Sequence, residues 1–257
     1  MRTLAWQNNW QTIIHNLRVV SDPGDEQGLI DTLSRPEAAT VLGFVNAHAM
    51  NLVACNSDYY NALSAAHVLL RDGSGMSILY HRLGLLPGLN MDGTDFIPKL
   101  LAAFKGRRVA FWGTREPFLT NAVQRCEAIY EVNVVSAHHG FAEVDAYIQL
   151  ARQLQPELVV LGMGMPKQEA VAARLTAIGV PCLIVCGGAI LDFLGGKVTR
   201  APHWVRHIGC EWVFRLMSEP KRLFVRYVVG NPKFLLRTLI FRNVLLRGNL
   251  KKTYHLW

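Results

Sequence analysis

The chain has 257 residues, 51% of them hydrophobic and 18% charged, with a formal net charge of +8. This composition excludes a disordered or low-complexity protein, and the lack of any apolar run of about 18 residues excludes a transmembrane helix. The cysteines (Cys55, Cys126, Cys182, Cys186 and Cys210) are odd in number and include no Cys-x-x-Cys pair, so buried reduced thiols are expected rather than disulfides or a zinc site.

The length fits one large domain, or a domain with an addition. Residues 1–20 lack the apolar core and small-residue cleavage site of an export leader, so a cytoplasmic chain is expected. Charge is unevenly placed. Residues 200–257 hold 12 Lys and Arg against 2 Asp and Glu, whereas the rest of the chain holds 15 against 17. A nearly neutral body with a basic C-terminal quarter points to an anionic partner or surface at that end.

In chain order, residues 1–40 are weakly patterned, with a turn at 21–25 and a short helix over 26–33. A buried strand is predicted over 40–45, and the polar stretch beginning at Asn46 falls where that strand ends, the place where ligands sit in open parallel sheets. A helix over 58–66 and a strand over 67–70 follow. The second strand runs into Arg71-Asp72-Gly73-Ser74-Gly75. Asp72, between an apolar strand and a glycine turn, is a candidate sheet-edge carboxylate, although Asp-Gly is also an ordinary turn pair. Gly93-Thr94-Asp95 precedes a helix over 96–104, with Thr94 or Asp95 as its cap. A strand over 109–112 leads to Gly113-Thr114, which opens a helix through Tyr130.

The next strand, 132–136, ends at His138-His139-Gly140-Phe141. Adjacent histidines on an extended segment point opposite ways, so a loop is expected there rather than a metal site. After a helix over 146–154, the apolar strand 158–161 meets a glycine turn, Gly162 and Gly164. A helix then begins at Pro166, which suits a first turn. The plan repeats with a strand over 182–186, then Gly187-Gly188 and Asp192, itself a possible helix cap. Glycines allow close backbone approach, and free N–H groups at a helix start favour a phosphate. Arg200, Arg206, Arg215, Arg222 and Arg226 follow among aromatic residues. Glycine turns and an arginine cluster together look like a site for a phosphorylated ligand. The β-α-β-α order from 107 to 195 predicts a parallel sheet with helices on both faces. No Gly-x-Gly-x-x-Gly, P-loop or Asp-x-Asp motif is present, so a nicotinamide or flavin cofactor, a P-loop and the usual metal motif of sugar transferases are all unsupported. Residues 231–247 are apolar and basic without falling into a clean amphipathic helix. They read either as a membrane-docking segment or as a packed tail.

Four blocks stand in order: Gly-x-Gly-x-Pro-Lys-Gln-Glu at 162–169, Gly-Gly-Ala-x-x-Asp at 187–192, Arg-Ala-Pro at 200–202, and Glu-Trp-x-x-Arg-Leu-x-x-Glu-Pro-x-Arg at 211–222. In this the chain resembles the WecG/TagA/CpsF glycosyltransferases. The resemblance implies a Rossmann-like, GT-E-like α/β domain over 1–199 and a basic C-terminal appendage over 200–257 that faces a membrane. It implies a catalytic base at Asp72, 26 residues after Asn46 as in the family. It also implies a donor pocket built from Asn46, Gly93, Asp95, Gly113, Gly162, Gly164, Pro166, Lys167, Gln168, Glu169, Gly187, Gly188 and Asp192. Arg200, Arg215, Arg222 and Arg226 are the implied contacts to acceptor or diphosphate. Phe44 and Arg71 depart from the family pattern around Asn46 and Asp72. The implied reaction is inverting and metal-independent, with no cofactor beyond the substrate. A UDP-sugar donates to a polyprenyl-diphosphate-linked glycan in bacterial surface polysaccharide synthesis. The expected location is the cytoplasmic face of the inner membrane, with self-association of the apolar tail as a further expectation. The rivals are a nucleic-acid-binding protein, from the Arg–aromatic interleaving, and a non-catalytic membrane scaffold. Neither would need the glycine turns or Asp72, and no nucleic acid is expected.

Overall fold

Short apolar runs bounded by glycine and polar residues become seven strands. They are β1 (Leu17–Arg18), β2 (Ala39–Val45), β3 (Val68–Arg71), β4 (Arg108–Gly113), β5 (Asn133–His138), β6 (Leu158–Gly162) and β7 (Cys182–Cys186). The computed structural model describes residues 5–207 and 209–247, except the side chains of His203, His207 and 242–247. The expected basic residues beyond 247, and the side chains of Arg242 and Arg247, lie outside the described residues. The strands form one sheet in the order β1-β3-β2-β7-β6-β4-β5, and every pairing is parallel. This is the predicted Rossmann-like architecture.

Alternation along the strands makes two cores. Leu42 and Phe44 of β2, Val109 and Phe111 of β4, and Val160 of β6 face helices Pro23–Leu33, Gly93–Ala103 and Phe118–Tyr130. Their neighbours Val41, Ala110, Trp112, Val159 and Leu161 face Val144–Leu154 and Lys167–Leu175. Beside the second core lies a third cluster, in which Trp10 of helix Ala5–Asn16 meets Phe234 and Phe241 of helix Gly230–Arg247, with ring centroids 5.5 and 5.6 Å apart. One face of the C-terminal helix is thus a packed tail. Leu235, Leu236, Leu239 and Ile240 on the same helix stay exposed. No helix among the described residues is long and apolar enough to cross a membrane.

Several local expectations are corrected. Helix Ala5–Asn16, edge strand β1, and helices Ala47–Val53 and Ser74–Leu83 stand where no element was predicted. The cap of helix Gly93–Ala103 is neither Thr94 nor Asp95. It is Asp92, whose side chain accepts from the Thr94 N–H at 2.7 Å, so the helix begins three residues earlier than predicted. Thr114 does not open a helix. It sits at φ 46°, held by its own N–H to the Gly162 carbonyl, and the helix starts at Phe118. Asp192 lies inside helix Ile190–Leu194 rather than capping it. His138 and His139 do not point opposite ways. The strand ends at His138, the chain turns, and the two rings come within 4.4 Å of each other.

Candidate active site

Register explains why Asn46 and Asp72 meet. Val45 of β2 pairs with Arg71 of β3, so the residue after each strand emerges beside the other at the same sheet edge. Asn46 caps helix Ala47–Val53, its Oδ1 accepting from the N–H groups of His48 and Ala49, both at 3.1 Å. This fixes the amide so that Nδ2 donates to Asp72 Oδ2, also at 3.1 Å. Burial pushes the Asp72 carboxyl up to about 6, and the negative Asp92 adds to the rise. The Asn46 hydrogen bond and the charges of Arg226 and Arg215 oppose it.

Arg71 turns away from this site. It is 2% exposed, and donates to the Pro87 carbonyl at 2.8 Å, the Ser77 hydroxyl at 2.9 Å, and the Gly73 and Gly88 carbonyls at 3.2 Å. It therefore stitches the 85–90 loop to the turn that carries Asp72. Arg71→Met should leave these carbonyls without a charged donor and cost about 3 kcal/mol, measured by denaturant unfolding. Phe44 is buried against Phe96 and closes one wall of the cleft.

The cleft lies outside the carboxyl ends of the strands and has a volume of about 670 Å³. Its floor contains a topological switch point: the chain leaving β4 goes to one side of the sheet and the chain leaving β6 to the other. At that point Gly113 pairs with Gly162. A Cβ on Gly113 would stand 2.4 Å from the Gly162 backbone, so its glycine is a packing requirement and it does not line the cleft. Gly188, at φ 61°, turns its N–H away from the sheet to Gln168 Oε1 at 2.9 Å. Gln168 is 1% exposed, and its Nε2 donates to Glu169 Oε1 at 2.9 Å and to the Cys186 carbonyl at 3.3 Å. Gln168 reaches the cleft wall, but both ends of its amide are engaged by the protein. Glu169, Pro166 and Lys167 stand behind that wall. Burial pushes the Glu169 carboxyl up to about 7, and Lys167 Nζ holds the carbonyls of Gly140 and Ala142 at 3.0 and 2.7 Å.

Asn46, Asp72, Gly93, Gly162, Gly164, Gln168, Gly187, Gly188, Asp192, Arg215, Arg222 and Arg226 all line the one cleft. Asp192 Oδ1 accepts from the Thr114 hydroxyl at 2.5 Å and from Lys197 Nζ at 2.9 Å, while Oδ2 lies 4.0 Å from Arg222. Arg200 and Asp95 are expected ligand contacts that the fold brings to each other instead. The guanidinium forks onto both Asp95 oxygens outside the cleft lining, and Arg206 approaches the same carboxylate at 3.5 Å. Burial opposes it, but this pairing holds Asp95 below the usual carboxylate range. Arg222 is paired with Glu219 one turn away. Arg215 and Arg226 have no ion-pair partner among the described residues, and the Nε of each is buried without a hydrogen bond.

Sequence reasoning passed over His48, Asn90, Asp92 and Glu211 as site residues, yet all four line the cleft. Asn90 Oδ1 accepts from the Gly73 N–H at 2.7 Å and so fixes the turn after Asp72. Burial and the charge of Asp92 push Glu211 up to about 7. Glu211 heads one of the four motif blocks and was the most legible of these.

A parallel α/β sheet opens one cleft lined by a raised carboxylate, glycine turns and guanidiniums without ion-pair partners among the described residues. Residues 14–248 match the family described as Glycosyl transferase WecG/TagA/CpsF, and the chain belongs to it. Among its relatives is an N-acetylglucosaminyldiphosphoundecaprenol N-acetyl-beta-D-mannosaminyltransferase of Bacillus subtilis (strain 168), 24% identical over 235 residues, 88% of this chain and 90% of the relative. The enzyme of the same name from Bacillus spizizenii is 25% identical over 193 residues, 72% of each chain. That of Staphylococcus aureus (strain MW2) is 23% identical over 183 residues, 69% of this chain and 72% of the relative.

Proposed function

We propose that this glycosyltransferase moves a sugar from a UDP-sugar to a hydroxyl of a polyprenyl-diphosphate-linked glycan, with inversion and without a metal ion. The observation that carries the reading is the placing of Asp72, held by Asn46, in the same cleft as the unpaired Arg215 and Arg226. The names of the relatives favour the lipid-linked acceptor and make N-acetylmannosamine the first sugar to try.

In this mechanism Asp72 takes the proton of the attacking acceptor hydroxyl. A carboxyl raised to about 6 suits that role, since it is ionised at neutral pH yet more basic than an ordinary Asp. Arg215 and Arg226, with Arg222 nearby, offset the charge that develops on the departing UDP. Attack from the side opposite the leaving group by one activated hydroxyl, with no covalent intermediate, inverts the anomeric centre.

The acceptor is membrane-bound, so the enzyme needs a docking surface. Phe224, Val225, Val229 and Leu236 are each more than half exposed. They lie in the basic region 200–257, a composition suited to the cytoplasmic face of an anionic inner membrane. Away from the membrane the same apolar surface would pack against a second copy.

The test is a donor screen. The purified chain is mixed with short-chain polyprenyl-diphosphate glycans and a panel of UDP-sugars, with and without EDTA, and UDP release is followed. Acceptor-dependent release from one donor, unchanged by EDTA, is the expected result. Release that stops with EDTA and returns with a divalent cation would sink the metal-free mechanism. Tight single-strand nucleic-acid binding with a steep salt slope and no UDP release would favour the nucleic-acid reading.

A further inference from the structure

His48 is a cleft residue that the mechanism above does not use. Its place is fixed by the fold. Asn46, two residues earlier, caps the helix and binds Asp72, and His48 and Asp72 line the same cleft. From the other side comes the C-terminal segment. Asn51 Nδ2 donates to the Gly230 carbonyl at 2.7 Å and locks helix Gly230–Arg247 against helix Ala47–Val53. His48 lies one turn before Asn51, and Arg226 one turn before Gly230. Both residues line the cleft.

The His48 ring makes no hydrogen bond to any described residue, and its neighbour Arg226 has no carboxylate partner. Three nitrogen-rich side chains on two separate segments, His48, Arg215 and Arg226, therefore line one cavity without acceptors among the described residues. A ligand phosphate is the group that satisfies all three. We propose that His48 is a binding residue for the diphosphate of the donor, completing a clamp with Arg215 and Arg226. This rests on the reading of the cleft as a UDP-sugar site.

The charge logic is local. Burial and the adjacent Arg226 push the His48 imidazole down to about 4, so the free enzyme holds it neutral. Of the charged groups on the elements packed round it, Arg226 is the one that acts on the ring. Asp72, Glu211 and Arg215 share the cleft, and Tyr59 on the packed helix Ser57–Ser64 feels Glu169, Cys186 and Arg226 without acting on the ring. A diphosphate seated between imidazole and guanidinium neutralises the repulsion and adds an acceptor, so binding draws a proton onto His48. Keeping the imidazole neutral in the free enzyme limits the repulsion between cations in the empty cleft. It also lets the clamp lose a charge when UDP leaves.

The experiment follows the His48 imidazole by NMR across pH in the free protein and with saturating UDP, alongside UDP affinity of wild type and His48→Gln. The expected result is a titration midpoint that rises by about three units with UDP, which charges the ring at pH 6 but not at pH 8. The wild-type advantage in affinity should be about tenfold at pH 6 and smaller at pH 8. UDP's own ionisation cancels in the ratio of the two proteins. If UDP binds but the His48 midpoint stays put and the affinity ratio is flat with pH, the proposal fails alone. If wild type does not bind UDP at all, the donor-site reading fails and takes the clamp with it.

Discussion

Asp72→Asn should lower kcat/KM for sugar transfer by about 10²–10⁴-fold, the range lost when a positioned general base is removed. UDP binding should change little, because the amide keeps the shape and can still meet Asn46. In the wild type the rate should rise with pH through about 6, where the carboxyl gives up its proton. The variant should lack that limb. Stability should move the other way. The native carboxyl titrates near 6, above the roughly 3.9 of an unfolded chain, so the native state binds the proton more tightly. Native stability therefore falls as pH rises between these values, and Asn, which carries no charge to bury, escapes that loss. Asp72→Asn should be slower by that factor and have a higher Tm than wild type at pH 7.5. A variant with near wild-type transfer would remove Asp72 from the role of base. An inactive variant with a lower Tm would mean that its lesion is structural. Thermal scans and initial rates on the same preparation separate these outcomes.

Much of this site could be read from local sequence, because parallel strands deliver their next residue to one edge. The strands were legible as short apolar runs, whereas the link between Asn46 and Asp72 came from the family resemblance, and the register of β2 on β3 accounts for it. The two glycine turns after β6 and β7 were legible from the apolar runs they follow. What local sequence cannot hold is the identity of partners brought together from far apart. Trp10 is buried by Phe234 and Phe241 from the opposite end of the chain, so the N-terminal helix looked unpatterned when read alone. Arg71 stood out only as a departure from the family pattern beside Asp72. Its acceptors, the carbonyls of Pro87 and Gly88, belong to a loop with no pattern of its own. Asp95 and Arg200 were each read as ligand contacts, and each is the other's partner across 105 residues. His48 was read only as part of the polar stretch after β2, because nothing local in sequence shows that Arg226 acts on it.

The arginines differ in whether a carboxylate pairs with them, which divides a cluster that looked uniform in sequence and sets the second large effect. Arg226→Met should lower kcat by about 10²–10³-fold, as expected when a group aimed at developing charge is lost. Arg200→Met should cost less than about tenfold, because its charge is already engaged by Asp95 at the rim. The structural consequences should run in reverse. Arg226 is a half-buried cation with no ion-pair partner among the described residues, and desolvation and the nearby Arg215 and Arg222 disfavour its charge. Replacing it with an apolar side chain of similar length should leave the fold as stable or more so. Removing Arg200 strips Asp95 of its bidentate partner and loosens the contact between helix Gly93–Ala103 and the segment entering His203–His207. Steady-state rates and Tm for the two variants decide the matter. A rate loss for Arg200→Met as large as for Arg226→Met would show that the Asp95 pair opens to reach the ligand. An active Arg226→Met would place the leaving-group charge on other side chains, with Arg215 and Arg222 the next to replace.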